Sequence, residues 1–158
     1  PNDTDAEATD SGGITSFNSD GFTVGNHADY NSGGRTYASW NWKGNGTGSA
    51  NTDGSINSTV SANTTAGFSI VKYTGNATVS TIGHGLCAAP KIIITKNLSR
   101  SDAWPVDARI GTGGIYYLNQ TDGTGSYGDT SPYPSTAPTN LVYSVGTGSS
   151  LLIIIILP

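Results

Sequence analysis

Two histidines and one cysteine are the residues of this chain with the widest range of chemistry. His84 lies between two glycines, where its imidazole could be presented to a substrate or a metal ion. His27 lies far away in a polar segment, and no cysteine or carboxylate stands at ligand spacing from His84. Cys87 is the only cysteine and has no partner for an internal disulfide. We therefore expect a structural His84, a small core side chain at Cys87, and no metal or other cofactor.

Carboxylates are the next candidates, because glycoside hydrolysis needs an acid and a second carboxylate on opposite sides of the bond. Glu7 is the only glutamate and lies in an acidic N-terminal stretch. Asp102 and Asp107 flank Trp104, an arrangement that could form a sugar site but is also ordinary on a strand edge. No serine stands in a GxSxG motif. The sequence therefore predicts that the protein is not an enzyme, with polysaccharide processing as the less favoured alternative.

Aromatic side chains form the third group, since they stack on sugar rings. Tyr127 and Tyr133 lie in a long Gly-, Ser- and Pro-rich loop over residues 121–138, where exposure is expected and binding residues concentrate. Tyr127, Tyr133 and Trp104 are therefore the predicted carbohydrate- or receptor-binding residues.

The composition restricts both the fold and the partners. Of 158 residues, 22 are glycine and only 11% are charged, while Ser, Thr and Asn dominate the polar positions, which disfavours helices. The net charge of -4 and the scattered lysines and arginines provide no basic patch, so nucleic acid is not an expected partner. The longest apolar run, residues 151–157, is far shorter than the roughly 20 residues of a membrane-spanning helix. We therefore expect no membrane insertion.

Short apolar stretches separated by turn signals predict an all-β fold, an antiparallel β-sandwich. Asp20-Gly21 marks a hairpin, and the run Ile92 to Ile94 marks the core strand. In residues 35–43, RTYASWNWK, the alternation is that of a strand, and Trp40 and Trp42 share one face. We expect those two tryptophans to pack in the core.

The chain also contains an internal echo. GFTVG at residues 21–25 matches VYSVG at 142–146, and each copy precedes a Gly- and Ser-containing turn and an apolar strand. Each copy therefore resembles the closing hairpin of a sandwich, and we expect the chain to be part of a longer protein.

The sequence predicts four divisions of the chain: an acidic linker or arm at 1–13, closing strands of a preceding module at 14–43, a Gly- and Asn-rich linker at 44–54, and a β-sandwich domain at 55–158. Calcium binding is the weaker alternative for residues 1–13.

An ordered series of motifs carries a family resemblance. The series is YASWNWKGNGTGSANTDGSINSTVSANTTAGFSIVKYTGN, GHGL at 83–86, APKIIITKN at 89–97, Trp104, YLN at 117–119 and TAPTNLVYSVG at 136–146. It resembles a repeated domain of unknown function in the tail-fibre and appendage proteins of marine bacteriophages, over residues 17–146. The resemblance implies a lectin-like, jelly-roll-like β-sandwich that serves virion structure or host attachment, with no known catalysis. Two departures are Cys87, where the family tends to have a glycine, and the ending SSLLIIIILP.

We therefore expect a structural and adhesive module of a tail or head fibre, exposed on the virion surface and contacting host-surface glycan and other virion proteins. The alternative is a secreted or cell-surface glycoprotein or adhesin, since several Asn-x-Ser/Thr sequences occur.

The C-terminal apolar run predicts self-association. Residues 151–157 show no polar alternation, so both faces of that strand need cover, and one sandwich covers only the inner face. A homo-oligomer supplies the rest, and the fibre resemblance implies a trimer. The predicted interface residues are Leu152, Ile153, Ile154, Ile155 and Ile156.

Overall fold

The computed structural model describes residues 4–108, 114–118, 125–126, 133–147 and 151–157, and for 125–126 and 151–157 it describes the backbone alone. The strands are β1 Ile14–Phe17, β2 Phe22–Val24, β3 Ser49–Asn51, β4 Ser58–Asn63, β5 Phe68–Thr74, β6 Ser80–Gly83, β7 Ile92–Asn97, β8 Pro105–Asp107, β9 Gly114–Tyr117, β10 Gly125–Ser126, β11 Val142–Val145 and β12 Leu151–Leu157; a single-turn helix, α1, covers Ala28–Asn31. With 35% strand and 3% helix, the all-β prediction is confirmed.

The described chain divides into two compact units. The smaller unit is Glu7–Asn41, and the larger one contains residues 4–6 and the described part of Trp42–Pro158. Residues 4–6, predicted as part of an acidic linker or arm, therefore belong to the larger unit. The segment predicted as a linker, 44–54, contains β3. This strand pairs with β4 and forms one edge of the large sheet. The assignment of residues 14–43 to a preceding module stays a prediction.

The larger unit is built on an eight-stranded antiparallel sheet. Its strand order is β10-β9-β8-β7-β12-β5-β4-β3, so the C-terminal strand is inserted in the centre of the sheet. Ile154 of β12 is paired with Val71 of β5 on one side and with Thr95 of β7 on the other. A second sheet consists of β6 and β11, in which Tyr143 is paired with Ile82.

The core lies between these two sheets. Alternation along β5 places Val71 and Tyr73 in the core, while Lys72 between them is exposed. The strands β6 and β11 contribute fully buried side chains from the other side, so two layers enclose one core and the predicted antiparallel sandwich is confirmed. The core residues are Val60, Val71, Tyr73, Ile82, Leu86, Ile93, Ile115, Tyr133, Tyr143 and Val145.

The segment that follows residue 41 crosses the outer side of the large sheet. The Trp42 ring stacks on Phe68 of β5 with 5.8 Å between ring centroids. The Asn63 side-chain amide donates to the Lys43 carbonyl oxygen over 3.0 Å, and the Asn45 backbone N–H donates to Ser61 Oγ over 2.9 Å. These contacts explain why the Gly- and Asn-rich sequence is ordered here.

The predicted strand at residues 35–43 is wrong, as is the core packing of its tryptophans. Residues 35–43 have no regular secondary structure in this chain, and none of the described strands pairs with them. Trp40 is 72% exposed and Trp42 is 45% exposed. A strand pattern forms a strand only where a neighbouring backbone accepts its hydrogen bonds.

The expectation of a core Cys87 is also wrong. Cys87 is exposed and has φ 59°, in the left-handed region that favours glycine. Position 87 is therefore distinguished by its left-handed backbone conformation and not by burial. This conformation explains why a glycine suits the turn after GHGL.

The smaller unit contains the expected hairpin but little buried surface. In the β1–β2 hairpin, Phe17 is paired with Phe22, and the Asn18 N–H donates to the Gly21 carbonyl oxygen over 2.8 Å. All residues of this unit are described, and Gly13 is the only buried one. The unit therefore has no apolar core of its own.

Candidate functional site

The two tyrosines predicted as receptor contacts do not form an exposed pair. Tyr127 lies outside the described residues. Tyr133 is 3% exposed, and its hydroxyl donates to Thr95 Oγ1 of β7 over 2.9 Å. Burial raises the pKa of Tyr133 well above its ordinary value. The expected exposure of Tyr133 is wrong, because its ring packs in the core and the large sheet offers its hydroxyl an acceptor there.

The third predicted contact, Trp104, is half-buried at the end of the connection between β7 and β8. Its carbonyl oxygen accepts a hydrogen bond from the Leu118 N–H over 3.1 Å, which continues the pairing of β8 with β9. Tyr116 of β9 and Leu118, which follows that strand, are exposed hydrophobic side chains. Trp104 therefore stands beside accessible apolar surface on a regular sheet.

Lys96 fixes the start of the connection that carries Trp104. The residue is only 4% exposed, yet its ammonium donates to three backbone carbonyl oxygens. These belong to Asn97 at 2.7 Å, Arg100 at 3.0 Å and Thr4 at 3.0 Å. The ammonium also lies 6.0 Å from the centroid of the Trp104 ring, at the outer limit of a cation–π contact. One buried cation thus holds three chain segments together.

The connection itself, residues 97–104, is called the Trp104 loop below. Within it Asn97 Nδ2 donates to Asp102 Oδ2 over 2.8 Å, and Asn97 Oδ1 accepts from the Ser99 N–H over 3.0 Å. The Asp102 N–H donates to the Arg100 carbonyl oxygen over 3.0 Å, and Arg100 Nη2 lies 3.7 Å from Asp102 Oδ1. The loop therefore keeps a defined shape although it is rich in polar residues.

The Trp104 loop has the groups that sugar recognition requires. An aromatic face binds the apolar side of a pyranose ring, and a carboxylate with a guanidinium beside it accepts from and donates to hydroxyls. Asp102 and Arg100 both retain solvent-accessible side chains. Asp107, by contrast, is buried in β8. The two aspartates that flank Trp104 in sequence thus have different environments.

His84 is fully buried, as a structural role would require. Its Nδ1 accepts from the Leu86 N–H over 3.2 Å, which leaves Nε2 to donate to the Thr139 carbonyl oxygen at 3.2 Å. Burial lowers the pKa of His84, opposed in part by the hydrogen bond to Thr139 and by the charge of Asp53. Among the residues that the structure describes, no group of three or more His, Cys, Asp and Glu side chains is placed to hold a metal ion.

Residues 1–152 match the family of a domain of unknown function, DUF7483, and the chain belongs to that family. No curated protein and no solved structure matches the chain. Within the described part of the chain, no helix has the length and apolar character needed to cross a membrane.

Proposed function

We propose that this chain is a structural and adhesive module of a bacteriophage virion appendage and that it attaches to host-surface glycan through the Trp104 loop. The observation that supports glycan contact is the half-buried Trp104 ring on a loop held by the buried Lys96 ammonium. The resemblance to appendage proteins of marine phages supports the virion-surface location and the other virion proteins as partners.

Rigidity of the loop supports binding rather than catalysis. A sugar-binding surface gains affinity when its side chains are held in place before the ligand arrives, because less conformational entropy is then lost. Catalysis of glycoside hydrolysis needs two carboxylates facing one bond, and Asp102 is engaged by Asn97 while Asp107 is buried. The proposed activity is therefore attachment without cleavage.

A glycan array of bacterial surface polysaccharides, probed with the full chain, tests this function. We expect retention on a subset of polysaccharides and loss of retention in Trp104→Ala, whereas Trp40→Ala, which removes an exposed tryptophan elsewhere, binds normally. Uniform failure to bind contradicts the proposal. Release of reducing ends that Asp102→Asn abolishes supports the enzyme instead.

Self-association through the C-terminal strand is part of the same proposal. The backbone of β12 is paired on both edges within its own chain, so an oligomer cannot form by adding a strand to β12. The proposed contact is therefore with the outer face of the sheet, where Ile153 and Ile155 hold register positions opposite Lys72 and Ile70. The side chains of residues 151–157 lie outside the described part of the structure. Light scattering on the purified chain distinguishes the expected trimer from a monomer.

A further inference from the structure

The β1–β2 hairpin of the smaller unit has one apolar face. Ile14 is paired with Val24, and Phe17 is paired with Phe22. A register irregularity between Ile14 and Ser16 adds one residue to β1. Directly paired residues share a face of a hairpin, and the added residue returns Ile14 to the face that carries Phe17. This surface, called the hairpin face below, consists of Ile14, Phe17, Phe22 and Val24.

The opposite face of the hairpin is polar, which makes the hairpin amphipathic. Ser16 is paired with Thr23 on that face. Asn18 Nδ2 donates to Thr23 Oγ1 over 3.2 Å, and Ser16 Oγ donates to Asn18 Oδ1 over 3.3 Å. On the hairpin face, Phe17 is 79% exposed and Ile14 is also exposed. Because this unit has no apolar core, the hairpin face is left uncovered within its own unit.

The outer face of the large sheet carries a continuous apolar row. The register aligns one residue from each of the neighbouring strands β5, β12, β7, β8 and β9, at positions that alternate with the core residues. These residues, called the apolar row below, are Ile70, Ile155, Ile94, Val106 and Tyr116. Ile70 and Ile94 are half-buried, Val106 is buried and Tyr116 is exposed, while Ile155 is placed by its backbone register. Adjacent strands lie about 4.8 Å apart, so the row is about 19 Å long and a two-stranded hairpin fits across it.

We infer that the hairpin face of one copy packs on the apolar row of a neighbouring copy, which rests on the self-association proposed above and names the two surfaces that meet. A cyclic trimer needs a heterologous interface, in which two different surfaces of the chain come together. The hairpin face and the apolar row are two such surfaces. Both are β surfaces, which can stack about 10 Å apart as the two layers of a sandwich do.

The charges beside the two surfaces are complementary. Asp20 lies at the hairpin turn, three residues after Phe17, and is exposed. Lys72 lies two residues after Ile70 on the same outer face of β5 and is also exposed. Opposite charges around two apolar surfaces select the partner and its orientation. The chemistry of the apolar row and its border therefore fits the hairpin of a second copy of this chain.

Light scattering of the full chain over a concentration series tests the hairpin side of the interface. We expect Phe17→Lys to raise the concentration at which the trimer dissociates by roughly tenfold or more, because a buried phenyl ring is lost from each contact. Trp40→Lys is the matched control, since Trp40 is 72% exposed in the same unit but lies outside the hairpin. Equal association of Phe17→Lys and the original chain overturns the inference, whereas a monomeric original chain overturns the self-association on which it rests.

Complementation between two variants tests both surfaces together. Ile94→Lys is expected to disable the apolar row, and its lysine stem can remain on the sheet while the ammonium reaches solvent. Ile70→Lys takes its place if Ile94→Lys loses the β-type circular dichroism spectrum of the original chain. Each variant alone, Phe17→Lys or Ile94→Lys, should be monomeric, because no copy can offer a working pair of surfaces.

An equimolar mixture of these two variants should form a one-to-one dimer. In that dimer the intact hairpin of the Ile94→Lys chain packs on the intact apolar row of the Phe17→Lys chain, and no ring can close. Mass measured by light scattering distinguishes this dimer from a monomer and from a trimer. A mixture that stays monomeric, although the original chain is trimeric, overturns the inference.

Discussion

The side-chain amide of Asn51, in β3, occupies the space in which a Cβ atom on Gly83, in β6, would lie. Asn51 is held there by two bonds to Asp53, one from Nδ2 to Oδ2 over 2.9 Å and one from the Asp53 N–H to Oδ1 over 3.0 Å. The glycine of the GHGL motif is therefore explained by the close approach of an edge strand of the large sheet to the smaller sheet.

Gly83→Ala is expected to lower the free energy of unfolding by about 1–3 kcal/mol, because the added methyl group displaces Asn51. Denaturant titration measures the loss. In the double variant with Asn51→Ala, the methyl group has room, so the loss is expected to be smaller than the sum of the two single losses. Simple additivity contradicts the contact.

Lys96→Met removes the ammonium that three carbonyl oxygens share and keeps most of the apolar volume. We expect a loss of about 2–3 kcal/mol, because hydrogen bonds to a charged donor are strong and the acceptors are left inside the protein. Lys72→Met on the exposed side of β5 is the matched control, with an expected change within about 0.5 kcal/mol. Equal effects of the two substitutions argue against a structural role for Lys96.

The buried tyrosines Tyr133 and Tyr143 should respond differently to loss of the hydroxyl. Tyr133→Phe breaks the bond to Thr95 and is expected to cost about 1–2 kcal/mol. The Tyr143 hydroxyl is buried without a hydrogen-bond partner among the described residues, so Tyr143→Phe is expected to leave stability unchanged or to raise it. Chemical denaturation of both variants gives the comparison.

Stability should fall on acidification because of His84. Its folded pKa lies below the ordinary value of 6.5, so the unfolded chain binds a proton at a higher pH than the folded one does. The contribution of neutral His84 is complete above about pH 6.5 and decreases as the pH falls towards the folded pKa. Thermal melts between pH 7.5 and pH 5 should show this decrease, and His84→Asn should reduce it. An unchanged pH dependence in the variant contradicts the assignment.

Much of the fold follows from local sequence pattern. The hairpin at Asp20-Gly21, the core strand that contains Ile93 and the all-β class depend on turn residues and alternation, which act over a few residues. The strand predicted at residues 35–43 depends on a pairing partner, which no local pattern supplies. The central insertion of β12 between β5 and β7 likewise depends on contacts between residues distant in sequence.

The site was predicted only in part. Trp104 is proposed from its residue type, and that assignment stays a prediction. Lys96 is not among the predicted residues, although a lysine inside the strand that follows the isoleucine run is a usable signal. Its three acceptors come from different segments, one of them more than 90 residues away, so spacing could not identify them. The exposure predicted for Tyr133 is wrong because a composition rich in Gly, Ser and Pro indicates an exposed loop, whereas the ring packs in the core and its hydroxyl bonds to Thr95 of β7.

Glycan recognition by the Trp104 loop is tested most directly by isothermal titration of the full chain with an oligosaccharide from the polysaccharide that it retains best. We predict a saturable heat of binding for the original chain. The affinity is expected to fall at least tenfold in Trp104→Ala and to be weaker in Asp102→Asn, while Trp40→Ala binds as the original chain does. Equal affinities in the Trp104→Ala variant and the original chain would contradict the account.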